Sequence, residues 1–275
     1  MTTQTSFERS CLVAPGAAAR VFDRVLCGVD STRESLEAVR QAARLRFPLG
    51  SLTVVSAIDV ALAVHAGWAA TVVAVDIKQE AEQALAAALG IAPQAEVRSV
   101  KGRAIDVLLA EARRMPATLV AVGSHGHRRA AGIALGGVST TMLHEAPCSV
   151  LVARASITPG EFPRSIVVGI DGSPESAVAA AVAFGLGERF GVEVWPVAST
   201  SGKQIDVDAV RAVATGVVVD KRRPVEVLTT ASRESDLLVV GSRGLHGVRA
   251  LGSVSERVAH QARCSVLVVR PPAGS

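Results

Sequence analysis

Two stretches of glycine and hydroxyl residues, GSHGHRRAAGIALGGVS (123–139) and GSRGLHGVRALGSVS (241–255), are the places where this chain could hold an anion. Each follows an apolar run and leads into a helical pattern, so glycine leaves backbone N–H groups unobstructed and the helix start adds its partial positive charge. That geometry suits the di- or triphosphate of a nucleotide. Upstream of each stretch an aspartate ends another apolar run, Asp30 after VLCGV and Asp171 after IVVGI. In open α/β sheets ligands bind beyond the carboxyl ends of the strands, beside the switch in strand order, so the aspartate and the glycine loop fall on one rim. A glycine-rich loop by itself also serves simply to close a tight turn; its coincidence with a rim aspartate in the same unit points to a ligand.

The remaining reactive side chains form weaker patterns. His125 and His127, with Arg128 and Arg129, could line a phosphate site or chelate a metal, but H-x-H without nearby Cys or carboxylate reads as a solvated loop. His144 and His260 occupy matching places in helices before the last strands and read as structural. There is no nucleophile–base set, no H-E-x-x-H, no G-x-S-x-G and no Walker lysine, and no paired carboxylates stand ready for Mg²⁺. No catalytic or metal-ligating residue is assigned, and at most slow nucleotide hydrolysis is expected.

The elements that position these residues come from a duplication. VLCGVDSTRESL (25–36) matches IVVGIDGSPESA (166–177), so Asp30 pairs with Asp171 at an offset of 141. LVAVGSHG (119–126) matches LLVVGSRG (237–244) at an offset of 118, and APCSVLVAR (146–154) matches ARCSVLVVR (262–270) at 116. Beginning, middle and end of each half correspond, and the falling offset says that the second copy lacks 23 residues in its middle and two more after its Gly-Ser loop.

VLCGV and IVVGI are continuous apolar runs of the kind found in strands buried on both faces of a parallel sheet. Ser31 with Glu34 fits a capping box, and Ser173 sets a capping hydroxyl before Pro174 at the first helical position. LTVVSAI (52–58) and VEVWPVA (192–198) read as second strands, and AEVRSV (95–100) as the third of the first copy; in the second copy the missing residues fall there. Ile105 to Arg114 reads as a helix, followed by fourth strands LVAVG and LLVVG and fifth strands SVLVA and SVLVV. Strands alternating with helices imply right-handed βαβ units and an open, doubly wound parallel sheet. The linker is ASITPGEFPRS (155–165), which places the first domain at 20–156 and a shortened second domain at 163–271.

Composition agrees with two aliphatic cores: 275 residues, 49% apolar, 3% aromatic and no Tyr. The net charge of +4 comes from 29 basic residues, mostly Arg scattered among acids, without the basic run and stacking aromatics of a nucleic-acid binder. Cys11, Cys27, Cys148 and Cys264 lack C-x-x-C or metal spacing and read as inert, reduced thiols of a cytoplasmic protein. MTTQTSFERS lacks the features of a secretory signal. Val60 to Val75 is apolar but too short to span a bilayer and reads as a partly buried loop or helix.

The pattern Gly, two residues, Gly, nine residues, Gly, then Ser or Thr resembles the ATP-binding signature of one branch of the universal stress proteins. The rim aspartate and the closing CSVLV strand are also similar to that family, twice over from about Val21 to Arg270. The resemblance implies two tandem Rossmann-like domains, each a five-stranded parallel sheet, with ATP, with or without Mg²⁺, as the ligand. It implies that Asp30 meets the adenine-ribose side, that Ala57 offers backbone atoms to the base, and that Gly123, Gly126, Gly136 and Ser139 hold ribose and phosphates. In the second copy Asp171, Val197, Gly241, Gly244, Gly252, Ser253 and Ser255 take the matching places.

Both copies depart from the signature. Gly137 stands where Ser or Thr is usual, which removes a charge-assisted hydroxyl bond of roughly 1.5–3 kcal/mol and leaves its N–H and Ser139 to compensate. The second copy keeps Gly252-Ser253 but has only seven residues after Gly244. The first copy is therefore ranked ahead of the second. In the family the last strand pairs with its counterpart; a tandem chain can satisfy that edge internally, and two chains can associate further as a homodimer. The expected function is a stress-response protein binding an adenine nucleotide as a regulatory ligand, with an unidentified protein partner and with no nucleic-acid or membrane partner. The alternatives are a scaffold for dimerisation and partner binding whose loops have degenerated, and an enzyme of related adenine-binding architecture, for which VDST and IDGSP lack the S-G-G-x-D-S loop.

Overall fold

The computed structural model describes residues 22–59, 70–126, 135–155, 161–201, 207–242 and 252–271. The first half runs β1 (Arg24–Gly28), α1 (Arg33–Leu45), β2 (Ser51–Ile58), α2 (Ala70–Ile91), β3 (Glu96–Lys101), α3 (Ala104–Arg114), β4 (Leu119–Gly123), α4 (Gly137–Glu145) and β5 (Ser149–Ala153). The second runs β6 (Ile166–Gly169), α5 (Pro174–Phe190), β7 (Val194–Ser199), α6 (Val207–Val213), β8 (Val218–Asp220), α7 (Pro224–Ala231), β9 (Leu237–Gly241), α8 (Ser253–Gln261) and β10 (Ser265–Val269).

The ten described strands form one sheet in the order β3-β2-β1-β4-β5-β10-β9-β6-β7-β8. Within each half every pairing is parallel, and the strand order reverses between β1 and β4 and between β6 and β9. Those two reversals are the switch points at which a doubly wound sheet opens a crevice. Alternate strand residues face opposite layers: Val25 and Cys27 join one aliphatic cluster, Leu26 the other, and both clusters run through the two halves. The continuous apolar runs follow from this, because helices cover both faces.

The halves join where β5 and β10 pair antiparallel, with Leu151 opposite Leu267. This satisfies inside one chain the edge that each copy would otherwise expose. Arginines pin the seam. Arg154 donates to the carbonyls of Ala259 (2.6 Å) and Cys264 (3.3 Å), and its counterpart Arg270 donates to those of Leu143 (2.5 Å), Cys148 (3.1 Å) and Ala146. Each guanidinium thus meets the carbonyl end of the last helix of the other half, where backbone acceptors lack intrahelical donors. On the other face Arg189 of α5 donates to the carbonyls of Arg44 (2.9 Å), Leu45 (3.0 Å) and Arg46 (2.6 Å) at the end of α1.

Several local expectations are corrected. The first helix is capped by Thr32, whose hydroxyl accepts from the Ser35 N–H at 3.3 Å, and the Ser31 hydroxyl instead donates to Glu80 of α2 at 2.5 Å. Ser173 caps α5 with Pro174 in the first turn, as the sequence predicts. The 23 missing residues shorten the middle helix from 22 residues to 7 and the third strand from six to three, yet both survive, so the second half keeps five strands. Residues 60–69 of the apolar stretch lie outside the described residues; Ala70 to Val75 opens α2, where Val72 and Val75 are exposed. Among the described residues no helix is long and apolar enough to cross a membrane. The described part of the linker is docked, with Phe162 buried and its carbonyl accepting from Arg44 at 3.2 Å.

Candidate functional site

Asp30 lies two residues beyond β1, in the turn into α1. Its Oδ1 accepts from the Thr32 N–H at 3.0 Å and from the Thr32 hydroxyl, while its own N–H donates to Ser35 Oγ at 3.2 Å. One carboxylate oxygen therefore fastens the turn. The other, Oδ2, faces the glycine loop: a Cβ on Gly126 would lie 3.2 Å from it. Asp171 repeats the turn, its Oδ1 accepting from the Ser173 N–H at 3.1 Å and from the Ser173 hydroxyl. A carboxylate in this position accepts hydrogen bonds, so a ligand must present donors there, such as ribose hydroxyls.

The glycines of the loop do different work. A Cβ at Gly123 would sit 2.8 Å from backbone atoms of Glu34 and Ser35, and one at Gly241 would sit 2.7 Å from the Glu175 carbonyl oxygen, so both let the end of a strand press against the first helical turn. Gly136 donates its N–H to the Ser124 carbonyl at 2.9 Å and caps α4, with no side-chain bond to that helix end. Among the described residues beyond its chain neighbours and its own helix, nothing lies within 4 Å of where a Cβ on Gly137 would be. The first amides of α4, at Gly137, Val138 and Ser139, have no intrahelical acceptor and open on the cavity. Gly252 and Ser253 begin α8 in the same way.

Two expected roles change. The buried Ser139 hydroxyl donates to the Gly123 carbonyl at 2.6 Å, and Ser255 donates to that of Gly241 at 2.7 Å. Their single hydroxyl protons bind the helix start to the strand end, which leaves their backbone amides, not their hydroxyls, to face an anion. Val197 is not the counterpart of Ala57: in the sheet Gly28 stands opposite Val55 and Gly169 opposite Val197, and Val29 and Ile170 donate to those two carbonyls, both at 2.9 Å. The residue matching Ala57 is Ser199, whose hydroxyl donates to the Arg222 carbonyl at 2.5 Å. Gly244, His127, Arg128 and Arg129 lie outside the described residues.

Each switch point opens into a cavity. The first, of about 390 Å³, brings together Asp30, Ala57, Gly123, Gly126, Gly136, Gly137 and Ser139. The second, of about 500 Å³, brings together Asp171, Val197, Gly241, Gly252, Ser253 and Ser255. The trimmed second half has thus kept an open crevice, and volume does not favour the first. Sequence reasoning missed the apolar wall, Ile105 and Leu108 of α3 and, in the second half, Val227 and Leu228 of α7. Its signal is positional, since any helix that follows a parallel strand starts on the carboxyl rim. Gly28 and Gly169 admit this wall, with Leu108 and Leu228 side chains 2.9 and 3.0 Å from where a Cβ would stand.

The described histidines divide between the first cavity and the seam. His125 lines the first cavity with Nδ1 3.1 Å from Ser124 Oγ, while its Nε2 is buried without a hydrogen-bond partner among the described residues. His144 Nε2 lies 3.3 Å from Glu256 across the seam, and His260 Nδ1 accepts from the Leu135 N–H at 3.4 Å. Among the described residues no three His, Cys, Asp or Glu side chains cluster to hold a metal. Burial raises the Cys27 thiol well above its usual range, Cys148 to about 12 and Cys264 to about 11, against the attraction of Arg270 for Cys148 and of the Ser235 hydroxyl bond and Arg154 for Cys264. These described thiols stay protonated and unreactive near neutrality.

Comparison with known proteins now bears on this arrangement. The model of the universal stress protein family matches residues 22–154 and 198–270. The chain is 31% identical to a universal stress protein of Mycolicibacterium smegmatis, over 90% of this chain and 97% of that one. It is 32% identical to the universal stress protein Rv2623 of Mycobacterium tuberculosis, where the match covers 56% of this chain and spans 62% of the relative's length. The crystal structure of a universal stress protein from Archaeoglobus fulgidus shares the fold, with a TM-score of 0.64 at 22% identity over 90% of this chain and 97% of that one. With the duplicated sheet, the paired rims and a family match in both halves, this chain belongs to the universal stress protein family.

Proposed function

We propose that the protein binds an adenine nucleotide, ATP, in the first-half cavity as a regulatory ligand, and that occupancy alters its contacts with a protein partner in a stress response. The observation that carries this reading is the convergence, on one cavity, of a carboxylate oxygen turned toward the loop and the first amides of α4, which have no acceptor within the helix. The donor set fits the ligand in parts. Asp30 Oδ2 accepts from ribose hydroxyls, Val55, Ile105, Leu108 and Val122 give the base an apolar wall, and the amides of Gly137, Val138 and Ser139 meet phosphate. Any Mg²⁺ arrives on the phosphates, since the described residues offer it no cluster. The second cavity, with Asp171 and Ser253, is a second site of the same class.

Calorimetry with ATP tests the reading. Micromolar binding is expected from the intact chain, lost in Asp30→Asn, which keeps the turn-fastening oxygen but turns the other into an amide donor. Saturating ATP that produces neither heat nor a thermal shift removes the nucleotide. One observation favours the scaffold alternative: Gly123 and Gly241 are required by packing alone, so their presence does not itself call for a ligand. Purified protein that retains no absorbing small molecule and binds no ATP would select that alternative.

A further inference from the structure

The first-half cavity is built mainly from its own half, but the segment that re-enters α4 touches the other half. Leu135, just before the Gly136-Gly137 pair, donates its N–H to Nδ1 of His260 at 3.4 Å, and His260 belongs to α8 on the far side of the β5–β10 seam. The next amide, Gly136, is held from within the first half by the Ser124 carbonyl at 2.9 Å. Two successive amides are thus fixed from opposite sides of the seam, and the first amides of α4, at Gly137, Val138 and Ser139, follow at once.

We infer that His260 is a positioning residue supplied by the second half, which sets the entry of the first-half loop so that the first amides of α4 point into the cavity. It touches no ligand and acts through Leu135. The role requires a neutral ring, because Nδ1 must carry a lone pair to accept an N–H. Burial of the imidazole holds its pKa below the ordinary value of 6.5; Arg154 at the end of β5 and His144 of α4 push the same way, and Glu256, one turn earlier on α8, opposes them. The ring is therefore neutral at pH 7 and fit to accept. Protonation places a donor against the Leu135 donor and releases the segment, so the positioning is lost as pH falls below the ordinary imidazole range. On the other side of the seam His144 meets the Glu256 carboxylate, and Thr140 stands at the Glu256 position of the first half.

The ligand-dependent part of the test rests on the nucleotide reading, and the exchange part does not. In the full chain, His260→Ala removes the acceptor, while His260→Asn places an amide oxygen near the Nδ1 position and cannot titrate. At about pH 7.5 the Leu135 amide should exchange with solvent about tenfold faster in His260→Ala and at the wild-type rate in His260→Asn. ATP should bind about 3–10-fold more weakly to His260→Ala, adenosine should be unaffected because it lacks the phosphates, and His260→Asn should restore ATP binding. Between about pH 7.5 and 5.5, wild-type ATP affinity should fall more steeply than that of His260→Asn. Unchanged Leu135 exchange in His260→Ala overturns the inference whatever the ligand results. Equal weakening of ATP and adenosine, or of neither, overturns it as well. A wild-type chain that binds no ATP sinks the nucleotide reading, and the exchange comparison then decides the positioning role alone.

Discussion

Arg270→Met is the sharpest test of how the two copies are held together. The substitution keeps most of the aliphatic stem in the seam and removes the donors to Leu143, Ala146 and Cys148. Bonds from a charged donor contribute roughly 1.5–3 kcal/mol each, so three amount to about 5–9 kcal/mol gross. Against this stands the cost of desolvating the cation, visible in the lowering of the Arg270 pKa by burial and worth several kcal/mol. The difference leaves about 2–4 kcal/mol of destabilisation, or roughly 5–10 °C in Tm for a chain of this size. Arg270→Lys should recover only part of it, because a point charge cannot fork onto carbonyls of both a helix end and a strand start. Urea unfolding of wild type and both variants measures the effect. A loss below about 0.5 kcal/mol for Arg270→Met would show that the seam rests on β5–β10 pairing and apolar contact alone, and the capping account would be wrong.

Gly123→Ala should cost about 1–3 kcal/mol, since its Cβ meets backbone and not a movable side-chain tip; wild-type stability in a denaturation curve refutes the packing role. Gly137→Ser meets nothing close among the described residues and puts at the start of α4 the hydroxyl that Ser253 has on α8; it should tighten ATP about tenfold and leave adenosine unchanged, by calorimetry. The buried thiols set a pH dependence. Their folded pKa values lie above the ordinary 9.0, so from pH 9 upward the folded chain binds more protons than the unfolded chain and stability falls. At about pH 10 the loss is roughly 1.4 kcal/mol per thiol, and denaturation at about pH 8 and pH 10 should show a smaller loss in Cys148→Ala than in wild type.

The fold was legible because duplication supplied an internal control: a run such as VLCGV, ambiguous alone, becomes a strand when IVVGI repeats it before another Asp and another helix start. The rim aspartates and glycine loops were legible as members of one site because parallel strands bring all their carboxyl ends to one side. Register was not. VEVWPVA has no punctuation to fix its end, and the Ile170 N–H, by choosing the Val197 carbonyl, decides that Ser199 and not Val197 matches Ala57. Hydroxyl roles were also hidden, since a motif gives a serine's position but not its nearest acceptor; for Ser139 that acceptor is the Gly123 carbonyl.

A duplicated sequence is read copy by copy, and here side chains of each copy also reach helix ends of the other across the seam. Arg154 and Arg270 exchange symmetrically, each onto the other half's last helix. His144 meets the Glu256 carboxylate across the seam, and His260 a backbone amide beside the first-half loop. Once both copies were on one chain, substitutions such as Thr140 opposite Glu256 could differ between them, an option that a symmetric pair of identical chains lacks. The seam is therefore where a side chain of the second copy reaches the segment that enters α4 of the first.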